Sequence, residues 1–431
     1  MIEKYKKTFR GMIEVPGDKS ITHRAVMLGS LSKGTTTIYR PLISDDILMT
    51  IDCMKQLGVS IELMDEKIVI NSNGVASLRE PTNILYTGNS GTTTRLLTGI
   101  VAGLNFNATI NGDETIQKRP MQRIKTPLEL MGASIELTRE NFPPINIKRK
   151  PLNGITYHMP VASAQVKSAI IFAALGAKGP TRIIEKDISR DHTERMLVDF
   201  GANIHTDGNS IIVYPGYSLL GKEVKVPGDI SSAAFLMVLA AIIPGSDITI
   251  KNVSLNKTRD GIITVFKMIG ADIEVFERNN VGEPYGNIRV KYKENLKPFI
   301  IDGALIPKLI DEIPILTVLG LFTNGKSIIR DAHELRVKET DRILAVTREL
   351  EKFGADFNIY DDGFEILENQ NLQKANEELK SYSDHRIIMM LIIMTIKMNQ
   401  RLNIDDTTHL NVSYPDILDD IESLEKEVDY E

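Results

Sequence analysis

The sequence predicts a mixed α/β (α+β) protein of two domains, built from six repeats of one βαβαββ-type unit, three to a domain. Three observations carry this. An apolar helix, a Gly/Asn/Lys turn and a short β-branched strand recur at intervals of roughly 70–80 residues. An amphipathic segment ending in glycine, then a strand, follows in each repeat but the last. The tetrapeptide Val-Pro-Gly-Asp occurs at 15–18 and again at 226–229, half a chain apart.

In chain order, the apolar helices are expected at 25–31, 96–104, 170–175, 233–243, 315–322 and 387–396. Their strands follow at 35–39, 108–110, 181–184, 247–250, 327–329 and 402–404. The second helices end at Gly58, Gly132, Gly201, Gly270 and Gly354, where a helix C-terminus favours a left-handed residue. The sixth copy, 414–428, is expected to stop after its helix. The two Val-Pro-Gly-Asp turns predict chain crossovers between domains. One domain then spans 15–226, and the other combines 1–14 with 227–431, its short first strand pairing with the second half of the chain.

Composition limits the function. The 431 residues carry 51 Lys+Arg against 57 Asp+Glu, a net charge of −6, which disfavours broad binding to nucleic acid or anionic membrane. One cysteine, Cys53, excludes an internal disulfide framework, and it reads as a buried apolar residue rather than a nucleophile. The charged start and the short apolar runs predict a cytoplasmic protein without a membrane span. The histidines have no metal-ligand spacing, so no metal is expected.

One motif misleads. Residues 320–327, GLFTNGKS, match the phosphate-loop pattern, but that loop needs a strand before it and a helix after it. Here the expected order is helix, turn, strand, so the segment reads as an inter-element turn.

The helix starts carry more information. Polar clusters precede the apolar helices at Asp18-Lys19-Ser20, Gly88 to Thr92, Ser163 to Gln165, Asp229 to Ser232 and Ser383 to Arg386. Ordinary capping accounts for each alone. The cations Lys19, Arg24, Arg95, Lys167 and Arg386 stand beside these starts, where a structural helix prefers acids, and this points to anionic ligands. A second cluster, Arg336 to Arg342, is expected to open a helix with Lys338 and Arg342 on one face. Asp311 and Glu339 are the acid–base candidates, with helix capping the alternative for Asp311.

These residues, in this order, closely resemble the 3-phosphoshikimate 1-carboxyvinyltransferase (EPSP synthase) family. The segments are PGDKSITHRA, TGNSGTTTR, KRP at 118–120, ASAQVKSA, SRDHTE, VPGDISSAA, LIDEIP, LRVKETDR, SDHR and SYP. ASAQVKSA, RDHTE and LIDEIP are similar to the subclass that includes glyphosate-tolerant bacterial enzymes. The resemblance implies the two-domain enolpyruvyl transferase fold, an inside-out α/β barrel in each domain, closing over substrate. It implies transfer of the enolpyruvyl group of phosphoenolpyruvate to the 5-hydroxyl of shikimate 3-phosphate, by addition and elimination, in chorismate and aromatic amino acid biosynthesis. No cofactor is implied, and a free-standing monomer is expected.

Site residues follow from the same resemblance. Lys19, Ser20, Arg24, Ser163, Ala164, Gln165, Arg190, Asp311 and Lys338 are expected at shikimate 3-phosphate. Lys19, Gly91, Arg119, Gln165, Arg342 and Arg386 are expected at phosphoenolpyruvate. Asp311 is the expected base, Glu339 the proton donor, and Lys19 a further catalytic group. The cations are expected to converge on one cleft. Three positions depart from the family pattern: Ala164 replaces a second serine, Glu334 an asparagine and Val412 a lysine. Lys167 and Arg190 are expected to compensate for the hydroxyl missing at Ala164.

Overall fold

The structure, a computed structural model, describes residues 7–280, 282–368 and 370–427. The chain divides into two compact units, Gly17–Val226 and Met1–Pro16 with Pro227–Glu431. The outermost residues of the second unit, 1–6 and 428–431, lie outside the described residues.

Each sheet is a variation on one plan. In Gly17–Val226 the strand Leu85–Tyr86 lies parallel to Ala108–Asn111, which pairs antiparallel with Phe142–Lys148, itself antiparallel to Ser134–Thr138. Thr156–His158, Thr181–Ile184, Ser210–Val213 and Ile204–Asp207 repeat that order. A parallel pair requires a crossover, and here the helices Gly91–Gly103 and Ala164–Ala174 supply it. The third sheet takes its parallel edge from the far end of the segment: Glu223–Lys225 pairs with Lys33–Tyr39. Sequence reasoning missed this three-residue strand.

The other unit contains the counterpart. Lys7–Glu14 runs parallel to Asp247–Ser254, as the expected pairing of the first strand requires. A smaller sheet joins Ile300–Ile301, Ser327–Ile329, Gly363–Ile366 and Phe357–Tyr360. The sixth repeat departs from expectation. Residues 402–404 form no strand, only a parallel bridge between Ile404 and Leu379. Asp405 and Asp406 turn their carboxylates onto the backbone N–H groups of Ser381 and Thr408 (both 2.8 Å), which competes with a ladder. Nor does the chain stop after its last helix, Ile417–Leu424. Glu425–Glu427 follows and pairs antiparallel with Lys7 to Phe9.

Each unit has its own apolar core. The leading helices are buried nearly all round: every residue of Ile230–Ile242 is inaccessible, as expected of a helix apolar on all faces. The second helices are amphipathic, and the glycines that follow them, Gly58, Gly132, Gly201, Gly270 and Gly354, all have positive φ. The phosphate-loop lookalike lies between the helix Ile313–Leu321 and the strand Ser327–Ile329, the order that rules that motif out. Burial pushes the Cys53 thiol up to about 12, with Asp52 adding to the effect, so it stays a protonated packing residue. Among the described residues no helix is long and apolar enough to cross a membrane.

Candidate active site

The leading helices begin earlier than their apolar stretches, inside the polar clusters. Asp18, Ser90, Ser163, Asp229 and Asp384 are N-caps whose side chains accept backbone N–H bonds from the first turn. Capping and cation clustering therefore coexist: an acid or hydroxyl fixes each helix start, and the cations stand beside it.

In the unit Gly17–Val226 the helix Lys19–Leu31 presents Lys19, which is ion-paired with Asp46. Arg24, one turn on, is buried. Its guanidinium donates to Thr193 Oγ1 (2.6 Å), Ser168 Oγ (2.9 Å) and the Ser20 carbonyl (2.9 Å), so Ser20 and Arg24 are brought together. Gly91 is the first residue of its helix. A Cβ there would lie 2.9 Å from Arg119 Nη1 and 3.0 Å from Arg95 Nη1, so the absence of a side chain lets two arginines crowd one helix N-terminus. Gln165 bridges, accepting from Arg95 (2.5 Å) and donating to Thr92 (3.0 Å). Ser163 caps the helix that Ala164 opens. Arg190 lies partly exposed, just before the helix His192–Asp199. His23 is fully buried and hydrogen-bonded to Thr50 (2.7 Å). Burial, then Lys19 and Arg24, hold its pKa well below the ordinary value, so it stays neutral.

In the other unit one arginine organises the site. Arg342, 2% exposed, donates from Nε to Asp384 Oδ2 (2.8 Å) and from Nη2 to Asp384 Oδ1 (3.2 Å). Its Nη2 also reaches Glu339 Oε2 (2.7 Å), and its Nη1 reaches Asp311 Oδ1 (3.2 Å). Burial is the largest influence on Arg342 and opposes its charge. Asp384, Glu339 and Asp311 together outweigh it and raise its pKa above the usual arginine value. Lys338 Nζ stands 3.6 Å from Asp311 Oδ1. Arg386 is buried at the start of the helix His385–Lys397, its guanidinium 6.0 Å from the centre of the Phe235 ring. Its Nε and Nη1 have no hydrogen-bond partner among the described residues.

Two expectations change. Lys338 and Glu339 are not on a helix face: Asp341 caps the Leu344 N–H (3.2 Å), so the helix begins at Arg342. Glu339 therefore reaches Arg342 from the segment before the helix. Lys167 does not compensate for Ala164. Its ammonium is wholly buried against Glu185 (2.9 Å) and Glu194 (2.7 Å). Val412 is a buried apolar residue of a short 3-10 turn, Thr408–Val412, while Glu334 lies partly buried in another, His333–Val337. Sequence reasoning missed Asp46 and Asp384 as site residues. The available signal was their position: Asp384 stands directly before the helix that carries Arg386, and Asp46 in the first turn of the helix Asp45–Gln56. Among the described residues no group of three or more potential ligands could hold a metal ion.

The sequence matches the profile of the family described as EPSP synthase (3-phosphoshikimate 1-carboxyvinyltransferase) over residues 4–421. A curated 3-phosphoshikimate 1-carboxyvinyltransferase of Staphylococcus haemolyticus is 49% identical over 419 residues, 97% of this chain and 96% of that protein. One from Bacillus pumilus is 47% identical over 420 residues, 97% and 98% of the two chains. Among solved structures, EPSP synthase from Acinetobacter baumannii superposes with a TM-score of 0.86 at 37% identity, covering 99% of this chain and 98% of that one. The enolpyruvyl transferase NikO from Streptomyces tendae, at 15% identity and a TM-score of 0.79 over 98% and 97% of the chains, shares the fold. With this profile matched over nearly the whole chain, and relatives near half identity along the same length, the chain belongs to the EPSP synthase (3-phosphoshikimate 1-carboxyvinyltransferase) family of the shikimate pathway.

Proposed function

We propose that the residues described above carry out enolpyruvyl transfer from phosphoenolpyruvate to the 5-hydroxyl of shikimate 3-phosphate, releasing inorganic phosphate, in a monomeric cytoplasmic enzyme. The observation that carries the residue assignment is Arg342, one buried guanidinium bonded to both acid–base candidates, Asp311 and Glu339. Ser20, Arg24, Ser163, Ala164, Gln165, Arg190 and Lys338 serve shikimate 3-phosphate. Lys19, Gly91, Arg119, Gln165, Arg342 and Arg386 serve phosphoenolpyruvate.

The steps balance. Asp311 takes the proton of the 5-hydroxyl as its oxygen bonds to C2 of phosphoenolpyruvate, and Glu339 gives a proton to C3, leaving a tetrahedral intermediate. Glu339, now a carboxylate, takes back one C3 proton as the bond from C2 to the phosphate oxygen breaks, which releases phosphate and restores the double bond. An arginine has five N–H donors, and four bonds from Arg342 already go to carboxylates. A carboxylate bound bidentately needs two, so the arriving substrate displaces Glu339 or Asp311.

ASAQVKSA, RDHTE and LIDEIP support placing the chain with the subclass of the glyphosate-tolerant bacterial enzymes. The shared strand order of the five sheets, three in Gly17–Val226 and two in the other unit, supports the reading of repeated units, and the sixth unit rests on its helix and turn alone. The decisive assay is phosphate release from phosphoenolpyruvate with either shikimate 3-phosphate or UDP-N-acetylglucosamine as acceptor. Turnover is expected with shikimate 3-phosphate. Turnover with the sugar nucleotide alone would contradict the proposal.

A further inference from the structure

Lys167 is fully buried, yet no step of the reaction uses it. Its ammonium donates to Glu185 Oε2 (2.9 Å) and to the Ser189 carbonyl (3.2 Å), and it pairs with Glu194 Oε1 (2.7 Å). Glu185 in turn accepts from the Ser189 N–H (3.0 Å) and Oγ (2.5 Å). The lysine thus ties both ends of the segment 185–194 to the first turns of the helix Ala164–Ala174. Arg190 sits within that segment, directly after Ser189.

A second tie runs alongside. Ser168, next to Lys167, hydrogen-bonds Thr193, next to Glu194 (2.6 Å), and the Arg24 guanidinium spans both hydroxyls. The residues assigned to shikimate 3-phosphate on three segments, Arg24, Ser163 to Gln165 and Arg190, therefore share one buried scaffold.

Stability alone is a poor reason for this arrangement. Two carboxylates on one ammonium leave an excess negative charge in the interior, and a buried ion pair is often no better than an apolar replacement of similar volume. Burial raises the Glu194 pKa against the opposing pull of Lys167, and Glu194 Oε2 has no hydrogen-bond partner among the described residues. What the cluster does supply is fixed geometry: the ammonium is bonded at three points to the segment 185–194.

We infer that Lys167, with Glu185 and Glu194, is a positioning residue that holds the 185–194 segment so that Arg190 and Thr193-bound Arg24 meet shikimate 3-phosphate. This rests on the assignment of Arg190 and Arg24 to that substrate.

The test is steady-state kinetics on the double variant Lys167→Met with Glu194→Gln, beside Arg190→Ala. The double change removes one charge of each sign, so the cluster keeps its net charge. If it does not fold, Glu185→Gln takes its place, since it weakens the tie but leaves Lys167 paired with Glu194. The expected result is a KM for shikimate 3-phosphate raised about tenfold to a hundredfold, with kcat and the KM for phosphoenolpyruvate within about threefold of the parent. A purely structural lysine would instead lower the melting temperature and leave this ratio unmoved. An unchanged KM for shikimate 3-phosphate, in a folded variant, with Arg190→Ala strongly impaired, overturns the inference and spares the site assignment. If Arg190→Ala also binds normally, the assignment falls and the inference with it.

Discussion

Glu339→Gln is expected to lower kcat by about 10²–10⁴-fold while the Kd for shikimate 3-phosphate stays within about threefold of the parent. Glutamine keeps the size of the side chain and an oxygen that can accept the 2.7 Å bond from Arg342, so the fold and the neighbouring contacts are preserved. It has no proton to give. The loss should therefore appear in turnover and not in acceptor binding. Stopped-flow phosphate release and calorimetric titration with shikimate 3-phosphate separate the two quantities. A near-normal rate in this variant would remove Glu339 from the acid role.

Arg342 carries the second large effect, and two substitutions divide it. Arg342→Met leaves Asp384, which has no exposed surface, without its buried cation, and also strips that cation from Glu339 and Asp311. Breaking a buried pair on one side costs about 3–5 kcal/mol, so urea denaturation should show a loss of that size. Arg342→Lys retains the charge but loses the planar fork that holds Asp384 at two points and that the proposed assignment also places at a substrate carboxylate. A lost hydrogen bond to a charged group is worth about 1.5–3 kcal/mol, so kcat/KM for phosphoenolpyruvate should fall about tenfold to a hundredfold with smaller damage to stability. Unchanged stability in Arg342→Met would mean that these carboxylates do not depend on the guanidinium, and the account of the site would need revision.

What was legible in the sequence follows from how locally each feature is determined. The repeats were readable because each carries its own helix, glycine stop and strand, and Gly58, Gly132, Gly201, Gly270 and Gly354 all adopt the left-handed backbone their positions called for. The candidate residues at helix starts could be placed for the same reason: Lys19 and Arg386 adjoin caps recognisable in the chain, and Ser163 is itself one.

Features that depend on a distant partner were not readable. Lys167 stands beside a helix start just as Lys19 does, and only the fold brings Glu185 and Glu194 against it. Asp46 and Asp384 were overlooked because the cations were read for the ligands they would bind, not for the acids that hold them meanwhile. The charged run 336–342 concealed its cap: Asp341 looked like one more charge, yet its side chain starts the helix and leaves Lys338 and Glu339 outside it. Glu223–Lys225 was invisible for a topological reason, since its partner strand lies at the opposite end of the segment.

The central claim is that Glu339 protonates C3 of phosphoenolpyruvate in an addition that is later reversed by elimination. Running the reaction in deuterium oxide tests it directly. Addition makes C3 a methyl group, and elimination then removes any one of its hydrogens, so the vinyl methylene of the product should carry deuterium, as read by mass spectrometry and proton NMR. In Glu339→Gln the residual product should form slowly. Product from the parent enzyme with no deuterium in its methylene would contradict the addition–elimination route and the role of Glu339 within it.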